Sequence, residues 1–233
     1  MTTFVLVPGG WLGGWAWRKI TPLLEEKGHT VYPVTLTGMG DRIHLSTREV
    51  GMETAIQDVL NVIGYNDLDN LVLVGHSFAG KVVAAVADQI PEKVKLLLFL
   101  DAFRPEKART PQASFTPTEF GSVPPGTWSI PFSEEILEMI GKDVKGADRE
   151  WMLAKATPWP LKHAVDPITL SGAFDKVEQA YIFCTEGGDS VEEILDGKSG
   201  KLEGSYKIIE AGHWPMITKA EELADDMMTL AGA

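Results

Sequence analysis

The sequence has little cysteine, little positive charge and no long apolar run, and each shortage excludes a class of protein. Its 233 residues include one cysteine, Cys184, which cannot form a disulfide within the chain, so we expect a cytoplasmic location. Lysine and arginine number 21 against 33 aspartates and glutamates, and the resulting net charge of −12 disfavours nucleic acid and anionic membranes as partners. No apolar stretch approaches the roughly 20 residues that a membrane-spanning helix needs.

Short apolar runs alternate with helical patterns along the chain, which is typical of a parallel sheet covered by helices on both faces. The composition, 44% apolar and 23% charged residues, is that of an ordinary soluble globular protein. The six predicted strands cover residues 4–7, 30–34, 71–74, 94–100, 180–184 and 206–209. The predicted helices cover residues 15–27, 53–63, 78–89 and 219–230.

Residues 104–175 interrupt the alternation, because they hold most of the chain's 14 prolines and no clear strand. A loop of this length within a compact domain is usually functional, so we predict a short cap inserted after the fourth strand. The chain is then a single domain with a core of residues 1–103 and 176–233. Aromatic side chains would give the cap an apolar roof. The predicted pocket residues are Trp128, Trp151, Trp159 and Trp214.

The sequence Gly75-His76-Ser77-Phe78-Ala79 lies between a predicted strand and a predicted helix, which is the context of a nucleophile elbow. Such an elbow is a sharp turn that needs small flanking residues and lifts the serine hydroxyl above the sheet. Ala79 replaces the more usual second glycine and is small enough for this position. We therefore predict that Ser77 is a nucleophile.

A serine hydroxyl needs a base to take its proton, and five histidines are candidates. His213 follows the last predicted strand, where parallel sheets place their chemistry, and we predict that it is the base. His76 precedes the nucleophile, and strand alternation predicts that it points away from the site. His29 follows a helix end, His44 lies in a polar loop and His163 lies in the cap.

Two aspartates are candidates for the acid that orients the histidine. Asp101 ends the fourth predicted strand, where a partly desolvated carboxylate needs a partner such as an imidazolium ion. Asp189 follows the fifth strand and gives the chain order Ser, Asp, His. The residues by themselves leave both alternatives open.

An oxyanion hole requires two backbone amides that point at one position. The amide of Phe78, directly after the nucleophile, is one of them. We expect the second in the loop after the first strand, residues 8–14, where Gly10 is favoured and Trp11 is the alternative. Glycines allow close approach of the backbone to a ligand, and their spacing here does not match the dinucleotide-binding pattern G-x-G-x-x-G.

Taken together, these residues resemble the α/β-hydrolase superfamily. The closer resemblance is to the branch that holds plant methylesterases, hydroxynitrile lyases and bacterial pyrethroid-hydrolase-like esterases. It covers residues 3–105 and 180–230, and its motifs are Pro8–Trp17, Thr35–Arg42, the Ser77 elbow, Leu100–Pro105 and Tyr181–Glu186. The resemblance implies an α/β-hydrolase fold and a serine esterase that needs neither metal nor organic cofactor.

Three departures from that branch affect the interpretation. Pro8 stands where many members have a histidine. The plant esterases carry the catalytic aspartate directly after Cys-Thr-Glu, where this chain has Gly187. They typically have alanine at the position of Asp101. This reciprocal exchange slightly favours Asp101 as the acid. The lyases have a lysine after the catalytic histidine and a threonine in the oxyanion loop, where this chain has Trp214 and Gly9, which disfavours a cyanide-releasing lyase.

The leading hypothesis is a carboxylesterase-type serine hydrolase that cleaves esters of small, uncharged, hydrophobic or aromatic substrates through an acyl-enzyme. One alternative is a ligand-binding receptor on a hydrolase fold with negligible turnover, because a fold does not by itself establish a function. Another is an enzyme that hydrolyses carbon–carbon bonds or acts as a lyase. The expected partner is a small-molecule ester, without nucleic acid or membrane, and a homodimer is left open.

Overall fold

A computed structural model describes residues 1–102, 104–105, 126–185 and 204–233 of the chain. The described strands are β1 (Thr3–Val7), β2 (Thr30–Pro33), β3 (Leu71–His76), β4 (Val94–Leu100), β5 (Ser129–Ile130), β6 (Trp159–Pro160), β7 (Glu178–Cys184) and β8 (Ser205–Ile209). Six of them form one sheet in the order β2-β1-β3-β4-β7-β8, and every pair of neighbours in it is parallel. β5 and β6 form a separate antiparallel pair. The parallel sheet therefore brings the carboxyl ends of its strands to one edge, where catalytic loops are expected.

The described helices alternate with these strands. They are α1 (Ile20–Glu26), α2 (Met52–Tyr65), α3 (Ala79–Gln89), α4 (Glu134–Ile140), α5 (Gly146–Lys155), α6 (Leu161–Val165), α7 (Pro215–Thr218) and α8 (Ala220–Ala231). Short 3-10 turns cover Gly14–Trp17, Gly40–Leu45, Pro91–Lys93 and Ala173–Lys176. None of the helices in the described ranges is long and apolar enough to cross a membrane.

Two apolar clusters lie on opposite faces of the sheet, because successive side chains of a strand point to opposite sides. In β3, Leu71 and Leu73 belong to one cluster, and Val72 and Val74 belong to the other. Buried residues of α2 and α3 complete the first cluster, and those of α1 and α8 complete the second. This arrangement confirms the predicted α/β fold, with a mainly parallel sheet of six strands and helices on both faces.

The predicted helix over residues 15–27 is wrong at its start. A 3-10 turn covers Gly14–Trp17, and α1 begins only at Ile20. Pro22 explains the difference, because proline has no amide hydrogen and is tolerated in an α-helix only within the first turn. The helix therefore cannot begin much earlier than three residues before this proline.

The segment between β4 and β7 is less irregular than the sequence predicts. Its described part, residues 126–175, contains the β5–β6 pair and the helices α4, α5 and α6. Ser133 begins α4 as an N-cap whose hydroxyl accepts a hydrogen bond from the amide of Ile136. The strands were missed because each has only two residues, too few to show an alternating pattern.

Polar contacts attach this inserted segment to the sheet edge near β1. The ammonium group of Lys19 lies 2.7 Å from a carboxylate oxygen of Asp148 in α5. The amide of Gly40 donates to the hydroxyl of Thr157 at 2.8 Å, and the amide of Thr157 donates to the carbonyl of Trp11 at 3.0 Å. The segment is thereby held directly over the loop that follows β1.

Candidate active site

Ser77 lies on a strained turn between β3 and α3. Its φ of 58° is in the left-handed region, which a residue other than glycine rarely adopts and which costs about 1 kcal/mol or more. The turn is held by a hydrogen bond from the amide of Ser77 to the carbonyl of Leu100, at 3.1 Å. A Cβ atom at Gly75 would lie 2.5 Å from Val83 and 2.8 Å from the carbonyl of Ala79. The elbow therefore needs glycine at position 75, as its motif indicates.

His213 and Asp101 form a carboxylate–imidazole pair at the carboxyl ends of β8 and β4. Oδ2 of Asp101 lies 2.5 Å from Nδ1 of His213, and the two side chains are 13% and 19% exposed. Asp101 is itself held in a left-handed conformation, φ 39°, and its amide donates to the carbonyl of Ile182 at 2.7 Å. Because Nδ1 faces a carboxylate, it carries the proton, and Nε2 is left to act on a hydroxyl. Asp189, the other predicted acid, lies outside the described residues.

The backbone around His213 is anchored by the inserted segment. The amide of His213 donates to the carbonyl of Ile140 at 3.0 Å, and the amide of Gly212 donates to Oδ2 of Asp143 at 3.0 Å. The same carboxylate oxygen accepts a hydrogen bond from the hydroxyl of Thr218 at 2.7 Å. Sequence reasoning missed Asp143, because an acidic residue after a short helix resembles any solvated loop residue.

The loop after β1 packs directly against the elbow. A Cβ atom at Gly9 would lie 2.6 Å from Nδ1 of His76 and 2.9 Å from Cβ of Ser77, so only glycine permits this approach. At Gly10, a Cβ atom would lie 2.7 Å from the ring of Trp159. Glycine at position 9 thus lets the backbone come close to the nucleophile, and glycine at position 10 leaves room for the Trp159 ring.

The predicted oxyanion amides belong to buried residues, Gly10 and Phe78. Neither amide donates a hydrogen bond to another residue in the described ranges. Buried amides are almost always paired in proteins, so two such donors beside a nucleophile suit a ligand oxygen. The alternative residue, Trp11, has a left-handed φ of 66°, and its indole N–H donates to the carbonyl of Ile130 at 3.0 Å.

The prediction that His76 points away from the site is wrong. Its ring is completely buried, and its centre lies 4.6 Å from the centre of the His213 ring. Strand alternation does place His76 on the same face as Val72 and Val74, but that face also holds Trp214, which follows the predicted base. The His213 loop crosses the strand ends on this side and meets the ring.

Burial lowers the pKa of His76 to about 3, and a positive charge on His213 would lower it further. The hydrogen bond to the carbonyl of His213 and the charge of Asp101 act in the opposite direction but are weaker effects. His76 is consequently an uncharged imidazole at neutral pH. It therefore places no positive charge beside the elbow.

An aromatic cluster extends from His213 across the site, with neighbouring ring centres 4.8–6.0 Å apart. Its members are Trp11, Phe78, Phe132, Trp159 and Trp214. Phe132 and Trp159 come from the inserted segment, so this segment contributes aromatic rings to the apolar side of the site. The structure thus brings Trp159 and Trp214, two of the four predicted pocket residues, next to the predicted catalytic residues.

The other two predicted pocket residues differ from these two in their surroundings. Trp151 packs edge-on against Trp15, with ring centres 5.1 Å apart, and the guanidinium of Arg18 lies 5.1 Å from its ring centre. Trp128 is 36% exposed. None of the ring contacts in the described part of the chain joins either tryptophan to the aromatic cluster.

His163 of the inserted segment is stacked on Phe78, with the ring centres 5.9 Å apart. It is fully buried, and neither ring nitrogen has a hydrogen-bond partner among the described residues. Burial lowers its pKa to about 3, so the ring is neutral. Behind the elbow, it packs against Phe78 as an uncharged aromatic ring.

Comparison with known proteins supports the same fold and chemistry. A family model for the alpha/beta hydrolase family matches residues 4–226. The carbendazim hydrolyzing esterase of Nocardioides sp. (strain SG-4G) is 32% identical, over 99% of this chain and 100% of its own. Methylesterase 1 of Arabidopsis thaliana is 36% identical, over 98% of this chain and 95% of its own. An extracellular alpha/beta-hydrolase from a Paenibacillus species superposes with a TM-score of 0.83 over 99% of both chains, at 22% identity.

Proposed function

The chain belongs to the alpha/beta hydrolase family, and we propose that it is a serine hydrolase that cleaves carboxylic esters through an acyl-enzyme. The observation that carries the proposal is the pair of Asp101 and His213, 2.5 Å apart at the strand ends beside the strained Ser77 elbow. Relatives that are named as esterases over the full length of this chain support ester hydrolysis as the reaction.

In the first half of the proposed reaction, Oγ of Ser77 attacks the ester carbonyl carbon while Nε2 of His213 accepts the hydroxyl proton. The carbonyl oxygen becomes an oxyanion, which the amides of Gly10 and Phe78 bind as hydrogen-bond donors. The carbon–oxygen bond to the alcohol then breaks, and His213 returns its proton to the leaving oxygen. An alcohol departs, and the acyl group remains as an ester of Ser77.

In the second half, a water molecule attacks the acyl-enzyme and gives a proton to Nε2 of His213. The second oxyanion uses the same two amides, and its collapse breaks the bond to Oγ of Ser77, which regains the proton. A carboxylic acid is released. In both halves, Asp101 accepts a hydrogen bond from the Nδ1–H group of His213. This hydrogen bond keeps Nε2 free as a base and stabilises the imidazolium form.

The aromatic cluster supports a small, uncharged ester with a hydrophobic or aromatic part as substrate, because apolar pockets bind by burial of apolar surface. Methyl esters are the first candidates, since one relative is named a methylesterase. We propose that residues 104–175 act as the cap of this pocket. The proposal includes a cytoplasmic location, because a chain with a single cysteine, Cys184, cannot form a disulfide within itself.

Substitution of Ser77 by alanine tests the function. We expect turnover of p-nitrophenyl acetate and of aromatic methyl esters to fall by about 10³-fold or more, because the nucleophile is lost. Ser205→Ala is the matched control, since Ser205 is exposed at the start of β8. Equal turnover in Ser77→Ala and wild type would refute the mechanism. Tight ester binding without turnover in the wild type would instead favour the receptor alternative.

A further inference from the structure

We propose that His76 is a positioning residue that holds the oxyanion loop and the catalytic histidine in one fixed arrangement. The role rests on the proposed esterase function. His76 is the residue before the nucleophile, and its side chain makes one hydrogen bond to each of the two other parts of the site. One imidazole ring thus links three segments that are distant in sequence.

The two ring nitrogens of His76 have opposite roles. Nδ1 accepts a hydrogen bond from the amide of Gly9 at 3.2 Å. Nε2 lies 2.7 Å from the backbone carbonyl of His213. An amide can only donate and a carbonyl can only accept, so the partners fix the neutral tautomer with hydrogen on Nε2.

Each contact bears on an atom that the proposed reaction uses. Gly9 directly precedes Gly10, so a fixed amide at Gly9 orients the next peptide group and with it the proposed oxyanion donor. The carbonyl of His213 belongs to the residue that acts as the base. The amide of His213 donates to the carbonyl of Ile140 in the inserted segment. His76 therefore links both elements to the end of β3, which carries the nucleophile.

Neutrality of the ring is essential to this arrangement. A protonated His76 would present two N–H donors, and Nδ1 would then face the donor amide of Gly9. The described ionisable groups that act on the ring are His213, whose charge lowers the pKa of His76, and Asp101, whose charge raises it; burial outweighs the effect of Asp101 and keeps the ring uncharged. When His213 takes a proton during catalysis, its close neighbour at 4.6 Å is a neutral ring and not a second cation.

Two substitutions separate the two hydrogen bonds. In His76→Asn, the side-chain carbonyl can reach the position of Nδ1 and keep the hydrogen bond from the amide of Gly9. In His76→Gln, the longer side chain places its NH2 group near the position of Nε2 and keeps the hydrogen bond to the carbonyl of His213. His76→Leu removes both. His44→Gln is the matched control, because His44 is exposed.

We expect kcat to fall about 3- to 10-fold in each single-bond variant and about 10- to 100-fold in His76→Leu, with KM within about twofold of wild type. The loss falls on kcat because the contacts align groups that act on the transition state. Thermal unfolding is measured on every variant, so that rates refer to folded protein. A folded His76→Leu enzyme with wild-type kcat would overturn the proposal, and a wild type that hydrolyses no ester would refute the proposed function itself.

A second measurement does not depend on activity or on the stability of the variants. Nitrogen-15 spectra of histidine-labelled wild-type protein should show His76 as the neutral ring with hydrogen on Nε2, unchanged from pH 8 to pH 5. A hydrogen on Nδ1, or titration of this ring near its ordinary pKa of about 6.5, would overturn the positioning role.

Discussion

Replacement of Asp101 by asparagine tests the proposed acid with the least change of shape. The carboxylate lies 2.5 Å from Nδ1 of His213 and is 13% exposed, so the pair is mostly shielded from solvent. Asparagine keeps the size of the side chain but removes its charge. Its amide can also donate to Nδ1, which would hold the imidazole with hydrogen on Nε2 and remove the base.

The expected loss follows from the charge that develops on His213. At an effective dielectric constant of about 20 and a charge separation of about 4 Å, the carboxylate stabilises an imidazolium by about 4 kcal/mol. Each 1.36 kcal/mol in the barrier changes a rate tenfold, so the loss of this charge lowers kcat by about 10³-fold. The same substitution in a well-characterised Ser-His-Asp triad costs about 10⁴-fold, because the wrong tautomer is added to the lost charge. We therefore expect a fall of 10³- to 10⁴-fold for Asp101→Asn.

The assay is kcat/KM for p-nitrophenyl acetate between pH 5 and pH 9, measured on Asp101→Asn, Asp189→Asn and a control. Asp41→Asn serves as the control, because Asp41 is exposed and lies in the 3-10 turn Gly40–Leu45. We expect only Asp101→Asn to lose activity. If Asp189→Asn abolished turnover while Asp101→Asn kept it, the assignment of the acid and the electrostatic reasoning behind it would both be refuted.

Two further residues give predictions that do not depend on the acid. Asp143→Ala removes the acceptor for the Gly212 amide and the Thr218 hydroxyl, so kcat should fall about tenfold, and an unchanged kcat would contradict an anchoring role. His163 has a pKa of about 3 when folded and about 6.5 when unfolded, so the unfolded chain binds more protons between these values and stability is lost as the pH falls from 6.5 towards 3. Urea titrations at pH 7 and pH 5 measure the free energy of unfolding at each pH. We expect its fall from pH 7 to pH 5 to be about 2 kcal/mol smaller in His163→Leu than in wild type, and an equal fall in both would contradict this.

The sheet and the elbow could be predicted because their signals are local. Strands such as β3 and β4 are buried on both faces and read as continuous apolar runs. The elbow motif requires glycine and small residues where the chain crowds itself, and Gly75 meets that requirement directly. His213 could be chosen from five histidines because a loop at the carboxyl end of a parallel strand has a defined place in the fold.

The support of the site could not be predicted in the same way. The contacts of His213 with Ile140 and of Gly212 with Asp143 join residues about 70 positions apart, and no sequence pattern specifies them. The contacts of His76 were missed for a different reason. Alternation correctly gave the face of the sheet to which its side chain points, but the path of the loop after β8 over that face is a property of the tertiary fold.

The strand order explains why either of two positions can carry the acid. In the sheet, β4 lies between β3, which ends at the nucleophile, and β7, after which plant esterases of the resembling branch carry their aspartate. The amide of Ser77 donates to β4 and the amide of Asp101 donates to β7, so the three strand ends lie side by side. Neighbouring strands are about 4.8 Å apart, a distance that a carboxylate side chain and an imidazole ring can span together. An acid can therefore move from the end of β7 to the end of β4 and still reach Nδ1 of His213. The presence of Gly187 directly after the Cys-Thr-Glu string fits such a shift, because two carboxylates at adjacent strand ends would repel each other and raise the pKa of one of them.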